Sequence, residues 1–252
     1  MSLHHSVSLR GTFARVCLLL LLGLMVGCAT GPAADRRDPL EPFNRGVWQV
    51  NDALDRAVVR PAATAYRDVL PSPVRTGITN FFHNLQDAWS VVNNTLQLKG
   101  EHAGNSFFRF GVNSVFGLGG VLDIASEMGI ERHTEGFGDT LGYWGVGPGP
   151  YLVLPILGPS TVRDTAAMWV DSQGNLIDAV EHIPSRNSAT FLKMVNQRAQ
   201  LLQATAMLDQ VALDPYTFTR DAFLQRRRNS VFDGNPPEFD EFTPETLDEP
   251  QK

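Results

Sequence analysis

Apolar residues recur at steps of three and four along residues 74–96, which is the spacing of one face of an α-helix. The pattern predicts a helix of about seven turns beginning near Ser72-Pro73, with an apolar stripe of Val74, Ile78, Phe81, Leu85, Trp89, Val92 and Leu96. The opposite face carries mainly neutral amides where a solvated helix normally carries Lys and Glu: Asn80, His83, Asn84, Gln86, Asp87, Asn93 and Asn94. Two interpretations stay open. Either this polar face turns toward lipid headgroups or a wet passage, or the helix is buried on both sides and its amides pair internally.

A second segment, residues 107–122, is apolar around its whole axis. Thirteen uncharged residues separate Arg109 from Asp123, too few to cross a bilayer, which takes about 20. The segment is therefore either a buried core helix or a segment that lies in one leaflet. Its glycines predict a bend or break near Gly117. The candidates for leaflet embedding are Phe107, Phe108, Phe110, Val115, Phe116 and Leu118.

Helix-start signals predict that most of the remaining chain is helical. A capping residue followed by proline, or a pair of capping residues, stands at Asp38-Pro39, Ser72-Pro73, Ser160-Thr161, Asn187-Ser188 and Asp214-Pro215. We therefore expect an all-α, mainly helical single domain over residues 38–231. The last helix ends in Arg226-Arg227-Arg228, where basic residues suit the helix dipole, with contact to acidic headgroups as the alternative.

Residues 136–159 are rich in turn-forming residues, with seven glycines and four prolines. They predict a loop-rich region with a turn cluster and a short hairpin through Leu152 and Val153. The region lacks the G-x-x-x-x-G-K-[ST] pattern of a phosphate-binding loop. Candidates for a loop gate are Phe137, Gly138, Gly142, Trp144 and Gly149.

The N-terminus has the pattern of a bacterial lipoprotein signal. Arg10 and Arg15 precede an uncharged apolar run, residues 16–26, which has the length of a signal-peptide h-region and is too short to span a membrane. Leu24-Met25-Val26-Gly27-Cys28 closes this run, so residues 1–27 are predicted to be a signal peptide and Cys28 to be lipidated. The alternative is an ordinary secretory signal or a signal anchor. Ala29, where retained lipoproteins often carry aspartate, favours the outer membrane.

Cysteine and charge complete this picture. Cys17 and Cys28 are the only cysteines, so a chain lipidated at Cys28 has no disulfide. The formal net charge is −6, and residues 232–252 contain seven acids and one lysine. We expect a short linker at 28–37 and a disordered acidic tail at 232–252. The chain lacks the basic face of a nucleic-acid-binding protein, so no nucleic-acid partner is expected.

The sequence contains none of the common catalytic motifs. The nucleophile elbow G-x-S-x-G, the zinc motif H-E-x-x-H, the pair C-x-x-C and the P-loop are all absent. His133, Glu135 and Asp139 form the densest titratable cluster, for which turn and cap formation is favoured over a metal or acid–base site. We expect no enzyme activity, no cofactor and no metal.

Short segments quoted in chain order carry a family resemblance: Asp38-Pro-Leu-Glu-Pro-Phe-Asn-Arg45, Leu54-Asp55-Arg56, Asn80-Phe81-Phe82-His83-Asn84-Leu85, Gly136-Phe-Gly138, Thr140-Leu-Gly142, Trp144-Gly-Val and Gly149-Pro-Tyr-Leu-Val-Leu-Pro155. Over about residues 38–228 the chain resembles the MlaA/VacJ lipoprotein family. The resemblance implies a lipoprotein in the inner leaflet of the outer membrane that passes mislocalised phospholipids toward the periplasm. It also implies a ring-like helical body with an amphipathic channel, a trimeric porin partner and a soluble periplasmic phospholipid-binding carrier.

The resemblance gives the amide-rich helix a functional interpretation. A channel for amphiphiles needs a polar lining, because a headgroup left in hydrocarbon is costly. The candidate lining residues are Asn80, His83, Asn84, Asp87 and Asn94. A scaffold lipoprotein that bridges a porin and periplasmic factors is the alternative function, and a lipid-modifying enzyme is a further one.

Overall fold

A computed structural model of the protein describes residues 35–237. The signal peptide, Cys28, most of the linker and most of the acidic tail lie outside the described residues. The helices and strands are α1 Glu41–Leu54, a π-helical turn Asp55–Val59, α2 Arg60–Val69, α3 Ser72–Leu96, α4 Gly100–Val115, α5 Ile124–Glu127, α6 Phe137–Tyr143, β1 Tyr151–Leu154, β2 Gly158–Thr161, α7 Val162–Gly174, α8 Ile183–Val211 and α9 Pro215–Val231.

The mainly helical fold class is confirmed. The predicted long helix is α3, which spans 25 residues from Ser72. The apolar segment breaks where its glycines predict, because α4 ends at Val115, just before Gly117. The predicted hairpin forms as strands β1 and β2, which pair antiparallel with Tyr151 opposite Thr161 and Leu154 opposite Gly158.

Several helix starts differ from expectation. Asp38 and Ser72 do not cap α1 and α3, which have Leu40 and Pro71 at the N-cap position and no capping side chain. The prediction that Asn187-Ser188 caps the long helix is wrong: α8 begins at Ile183, and the side chain of His182 accepts the capping hydrogen bond from Ser185 N. The region 136–159 is not all loop, because α6 forms within it. The carboxylate of Asp139 accepts a hydrogen bond from Gly136 N and so stabilises the start of α6 despite the nearby glycines.

Burial is inverted relative to a typical water-soluble helical bundle. Among the described residues, buried polar and charged side chains outnumber buried apolar ones. Helix α3 shows this directly, since Val92 and Leu96 of its apolar stripe are exposed while Asn93 and Asn94 are buried. Soluble domains hide apolar surface because water disfavours it. An exposed apolar surface around a polar interior is typical of a body in contact with something other than water.

Within residues 35–237, buried apolar side chains form two small core clusters. One joins α2 to α8 through Ala63, Val195 and Leu202. The other packs Tyr151 and Val153 of β1 against Tyr216 of α9. With so little buried apolar surface, hydrogen bonds and ion pairs fix much of the remaining geometry.

Two asparagines of α1 hold the hairpin in place. The side-chain amide of Asn44 donates to Tyr151 O and accepts from Val153 N. One heptad later, Asn51 donates to Leu154 O and accepts from Ile156 N. Asn44 thus satisfies one donor and one acceptor of β1, as a neighbouring strand would, and Asn51 satisfies the last acceptor of β1 and a donor of the turn that follows it. Asp38, buried beside them, accepts from Asn44 and from the hydroxyl of Tyr216.

Over residues 35–237, no helix has both the length and the apolar character that a bilayer crossing demands.

Candidate functional site: an amphipathic cavity

A cavity of about 670 Å³ lies between α3, α6, the hairpin, α7, α8 and α9. Part of its wall is apolar, with Phe82, Leu85, Trp89, Met168 and Phe223. The rest is polar or charged, with Asp139, Asp164, Asp171, Lys193, Arg226 and Arg227. This combination of surfaces suits a ligand that has both an apolar and a charged part.

Asp171 of α7 forms hydrogen bonds to α3 and α6 at the cavity wall. Its Oδ1 accepts a hydrogen bond from the indole of Trp89 at 2.7 Å and from the backbone N–H of Phe137 at 2.8 Å. Gly174, one turn further along α7, lies so close to the same indole that an added Cβ would fall 2.0 Å from Trp89 Cε3. The absence of a side chain at Gly174 therefore allows α7 to approach α3.

Arg227 forms the main ion-pair centre of the cavity. Its guanidinium pairs with Asp139 at 2.8 Å and with both carboxylate oxygens of Asp164 at 3.0 Å. Burial by itself raises the pKa of Asp164, but the hydrogen bonds and positive charges of Arg227 and Arg163 outweigh it and hold that pKa below its usual range. The acids beside Arg227 similarly raise its own pKa against the effect of burial. This centre is charge-balanced without a ligand.

Lys193 lies on the cavity wall without such pairing. Its ammonium group makes no hydrogen bond or ion pair to any residue within 35–237. Burial lowers the pKa of Lys193, and attraction by Asp178 only partly offsets that effect. Lys193 is thus the half-buried cation of this cavity whose charge has no bonded partner in the described part of the chain.

The candidate lining residues of α3 lie in a hydrogen-bonded seam against α4 and residues 130–135. Asn84 donates to Ser114 Oγ at 2.9 Å, and Asn94 donates to Ser106 Oγ at 3.3 Å. Asp87 accepts from Arg132 at 2.7 Å. Each of these three side chains thus makes an internal hydrogen bond, as one of the two alternatives expects. Within residues 35–237, however, their other oxygens, Asn84 Oδ1, Asp87 Oδ2 and Asn94 Oδ1, are buried without a hydrogen-bond partner.

The seam also contains a buried ion-pair network. Arg109 Nη2 donates to both carboxylate oxygens of Asp123 at 2.9 Å, and Arg109 Nε lies 3.5 Å from Asp87, too poorly placed for a hydrogen bond. Burial raises the pKa of Asp87 even beside two arginines, whereas hydrogen bonds lower that of Asp123 to about 2 against the opposing effect of burial. The polar face of α3 is therefore occupied by this network.

The other two candidates are less enclosed. Asn80 donates to Val121 O at 3.2 Å, and His83 is half-buried with its pKa lowered to about 4 by burial and by the charge of Arg132. None of the five candidate lining residues is among the residues that line the 670 Å³ cavity. That cavity meets α3 along a neighbouring strip, formed by Phe82, Leu85, Gln86 and Trp89.

The candidate gate residues fall on α6 and the turn after it. Gly138 and Gly142 are points of close approach, because a Cβ at Gly138 would lie 2.6 Å from Asp164 Oδ1 and one at Gly142 would lie 2.6 Å from Arg163 Nη1. Trp144 donates to Leu96 O at 3.1 Å, and Gly149 has a positive φ of 66°. Phe137, Gly138 and Gly142 thus belong to a short helix packed on α7 and α9. Their gating role stays a prediction.

The candidate leaflet residues form part of an exposed apolar collar on α4 and the following turn. Phe107, Phe108, Val115, Phe116 and Leu118 are each at least 59% exposed, whereas Phe110 is half-buried. Of the two alternatives, the core helix does not fit the five exposed residues. Val92, Leu96, Val121 and Leu122 are exposed as well.

The titratable cluster near residue 135 serves the fold. His133 stacks on His102 with ring centroids 3.7 Å apart, and Glu135 accepts from Gln97 at 3.0 Å. Burial raises the pKa of Glu135. Residues 35–237 contain no group of three or more His, Cys, Asp or Glu side chains arranged to hold a metal.

Sequence reasoning missed Asp171, Lys193 and the pairing of Arg227. Asp171 lies 82 residues from Trp89 along the chain, so no local spacing connects them. Arg227 belongs to the basic run at residues 226–228. The helix dipole accounted for that run in the sequence, so nothing indicated that Arg227 pairs with the buried acids Asp139 and Asp164. An isolated lysine on a helix otherwise poor in lysine was the one available signal for Lys193.

The fold and cavity define a class of protein: a helical body with a polar interior, an exposed apolar collar and an amphipathic cavity. The profile of the MlaA lipoprotein family matches residues 36–230. The intermembrane phospholipid transport system lipoproteins MlaA of Shigella flexneri and Escherichia coli (strain K12) are each 39% identical to this chain over 209 residues, covering 81% of this chain and 82% of the relative. That of Haemophilus influenzae is 34% identical over 233 residues, covering 88% and 92%.

A solved structure gives the same result for the fold. It comes from work on the structural basis for maintenance of bacterial outer membrane lipid asymmetry, and it matches with a TM-score of 0.69 at 35% identity, covering 79% of this chain and all of that one. This chain therefore belongs to the MlaA lipoprotein family.

Proposed function

We propose that this protein holds phospholipid in its amphipathic cavity and passes it from the outer leaflet of the outer membrane toward the periplasm, which maintains lipid asymmetry. The cavity carries the proposal, because its apolar and charged walls match the two parts of a phospholipid. The names of the relatives, lipoproteins of intermembrane phospholipid transport, support the same function.

The exposed collar supports a position in the inner leaflet. Phe107, Phe108, Phe116 and Leu118 present large apolar side chains that hydrocarbon would cover. Lipidation of Cys28, followed by a short linker, would hold the body at that depth. Residues 35–237 contain no helix suited to cross the bilayer, so the proposal needs both the collar and the anchor.

The partners follow from the family resemblance. A trimeric porin would hold the protein beside the outer leaflet, and a soluble periplasmic phospholipid-binding protein would accept the lipid. Crosslinking in intact cells, followed by affinity capture of this chain, should recover both partners. Recovery of neither would contradict this part of the proposal.

Filling the cavity tests the transfer function. Met168 lines the cavity, so Met168→Trp should occupy space that the ligand needs. Met207 is exposed on α8 and is not a cavity residue, which makes Met207→Trp a matched control. In a strain that lacks the native gene, we expect the wild type and Met207→Trp to keep phospholipid off the cell surface and Met168→Trp to fail. Restored asymmetry with stably expressed Met168→Trp would count against the proposed route.

A direct assay distinguishes the proposed function from two alternatives, a lipid-modifying enzyme and a scaffold. Purified protein incubated with labelled phospholipid should retain the lipid intact, because we propose a conduit without chemistry. Release of a labelled product would instead indicate a lipid-modifying enzyme. Porin binding without any bound lipid, measured by native mass spectrometry, would indicate a scaffold.

A further inference from the structure

Lys193 has the features of a ligand-binding cation. Its side chain lines the cavity, and its ammonium group has no hydrogen-bonded anion among residues 35–237. Removing an ammonium group from water without a counter-charge is costly, and proteins normally pair such a group. An anion brought into the cavity by a ligand would offset this cost.

The neighbouring charges do not neutralise Lys193 directly. Asp178 attracts it from a distance but is exposed and already accepts a hydrogen bond from Asn175 at 2.8 Å. Asp171 is engaged by Trp89 and by the backbone of Phe137. The carboxylates of this part of the cavity thus have other partners.

The other cations of the cavity differ from Lys193 in position or pairing. Arg227 is held between Asp139 and Asp164. Arg226 is exposed, so water screens its charge and solvates it without a ligand. Lys193 therefore combines burial, a position on the cavity wall and the lack of a bonded anion.

The walls near this cation indicate what kind of anion fits. Phe82, Trp89, Met168 and Ile177 line the same cavity, so a small hydrated anion would leave apolar surface uncovered. A phosphate oxyanion attached to acyl chains would satisfy both surfaces. A lysine binds phosphate as a point charge, without the rigid bidentate geometry of arginine. Such binding suits a ligand that must move on.

We propose that the ammonium group of Lys193 binds the phosphate oxyanion of a phospholipid headgroup while the acyl chains lie against the apolar wall. This inference rests on the proposed phospholipid-transfer function and adds the residue that recognises the headgroup. Free phosphate shares the oxyanion chemistry, so the experiment must separate the two sources.

Native mass spectrometry of the purified full chain tests the inference with three probes: dioleoyl phosphatidylglycerol, dioleoylglycerol, which has the same acyl chains but lacks phosphate, and inorganic phosphate. Loss of a charge-assisted bond of this kind is worth about tenfold in affinity. Lys193→Gln should therefore bind phosphatidylglycerol about tenfold more weakly and dioleoylglycerol as well as the wild type does. Lys193→Arg should retain most of the phosphatidylglycerol binding, and Arg186→Gln, on the same helix but outside the cavity lining, should behave as the wild type.

The outcomes separate this inference from the function on which it rests. Unchanged dioleoylglycerol binding shows that Lys193→Gln is folded. Equal phosphatidylglycerol binding by wild type and Lys193→Gln would overturn the role of Lys193 and leave the transfer function intact. A wild type that binds no phospholipid would overturn the function itself. If inorganic phosphate binds at Lys193 as tightly as phosphatidylglycerol does, the acyl chains add no affinity. That result would overturn the assignment to a lipid.

Discussion

The indole of Trp89 donates a hydrogen bond to Asp171 over 2.7 Å, and this bond joins α3 to α7 across one wall of the cavity. The same carboxylate oxygen accepts from the start of α6. A single acid thus sets the positions of three helices that lie far apart in the sequence. Because apolar packing is sparse in this protein, such polar contacts carry an unusually large share of the tertiary structure.

Removing the indole donor should destabilise the fold. Trp89→Phe keeps an aromatic ring but loses the bond to Asp171, so we expect the free energy of unfolding to fall by about 1–3 kcal/mol. Trp169→Phe is the control, since Trp169 is on α7 and 73% exposed. Denaturant unfolding in detergent measures both. A loss no larger for Trp89→Phe than for Trp169→Phe would show that the bond is unimportant.

A methyl group at Gly174 should push α7 away from α3. Its Cβ would lie 2.0 Å from the Trp89 ring, and overpacking of this kind costs about 1–3 kcal/mol. Gly104→Ala is the matched control because nothing lies within 4 Å of its added Cβ in helix α4. We expect the control to be neutral or stabilising, since alanine favours a helix. Thermal unfolding that ranks the two variants equally would contradict the close contact.

Arg227 and its neighbour Arg226 should differ sharply on substitution. Arg227→Gln leaves Asp139 and Asp164 without their shared cation, and breaking a buried pair costs about 3–5 kcal/mol. Arg226→Gln changes an exposed side chain and should alter stability by less than about 0.5 kcal/mol. Urea unfolding of both variants checks the difference. Similar small losses would mean that the ion-pair centre is dispensable.

The apolar collar should control contact with lipid. Phe116 and Leu118 are 71% and 74% exposed, so Phe116→Glu with Leu118→Glu should reduce partition of the purified chain into phospholipid vesicles without unfolding it. The double variant Phe116→Leu, Leu118→Phe keeps the surface apolar and should partition as the wild type does. Flotation on a density gradient measures the bound fraction. Undiminished binding of the glutamate variant would remove the collar from the membrane-contact surface.

Acidification should weaken the fold partly through His83. Burial lowers the pKa of His83 to about 4, while in the unfolded chain it lies near the ordinary value of about 6.5. Between these values the unfolded state binds more protons, so the free energy of unfolding falls as the pH drops from about 7 toward 4. His83→Gln should flatten this dependence, which urea midpoints at several pH values would reveal. An unchanged slope would assign the acid sensitivity to other groups.

Sequence patterns correctly predicted those helices whose position depends on interactions between neighbouring residues. The periodicity of residues 74–96 predicted α3, and the capping chemistry of Thr161 and Asp214 predicted the starts of α7 and α9, where both side chains accept capping hydrogen bonds. The start of α8 was predicted late because His182 caps it, although histidine is a less frequent capping residue than Asn187 or Ser188.

The candidate site was harder to predict because its parts are distant in sequence. Trp89, Asp171 and Lys193 come from three helices, and only their packing brings them to one cavity. The amide-rich face of α3 was visible in the sequence as a feature that required a partner. Its partner proved to be α4 with the segment around Arg132, while the cavity lies along a neighbouring strip of the same helix.

The sequence by itself determined that this chain is mainly helical, that α3 has an apolar and an amide-rich face, and which family it resembles. Helix periodicity and capping depend on neighbouring residues, so they are legible without a fold. Only the tertiary structure decided that Val92 and Leu96 face outward, that Asn93 and Asn94 face inward and that Lys193 meets an amphipathic cavity. A pattern shows that a helix has two faces, but the surroundings of each face depend on what packs against it.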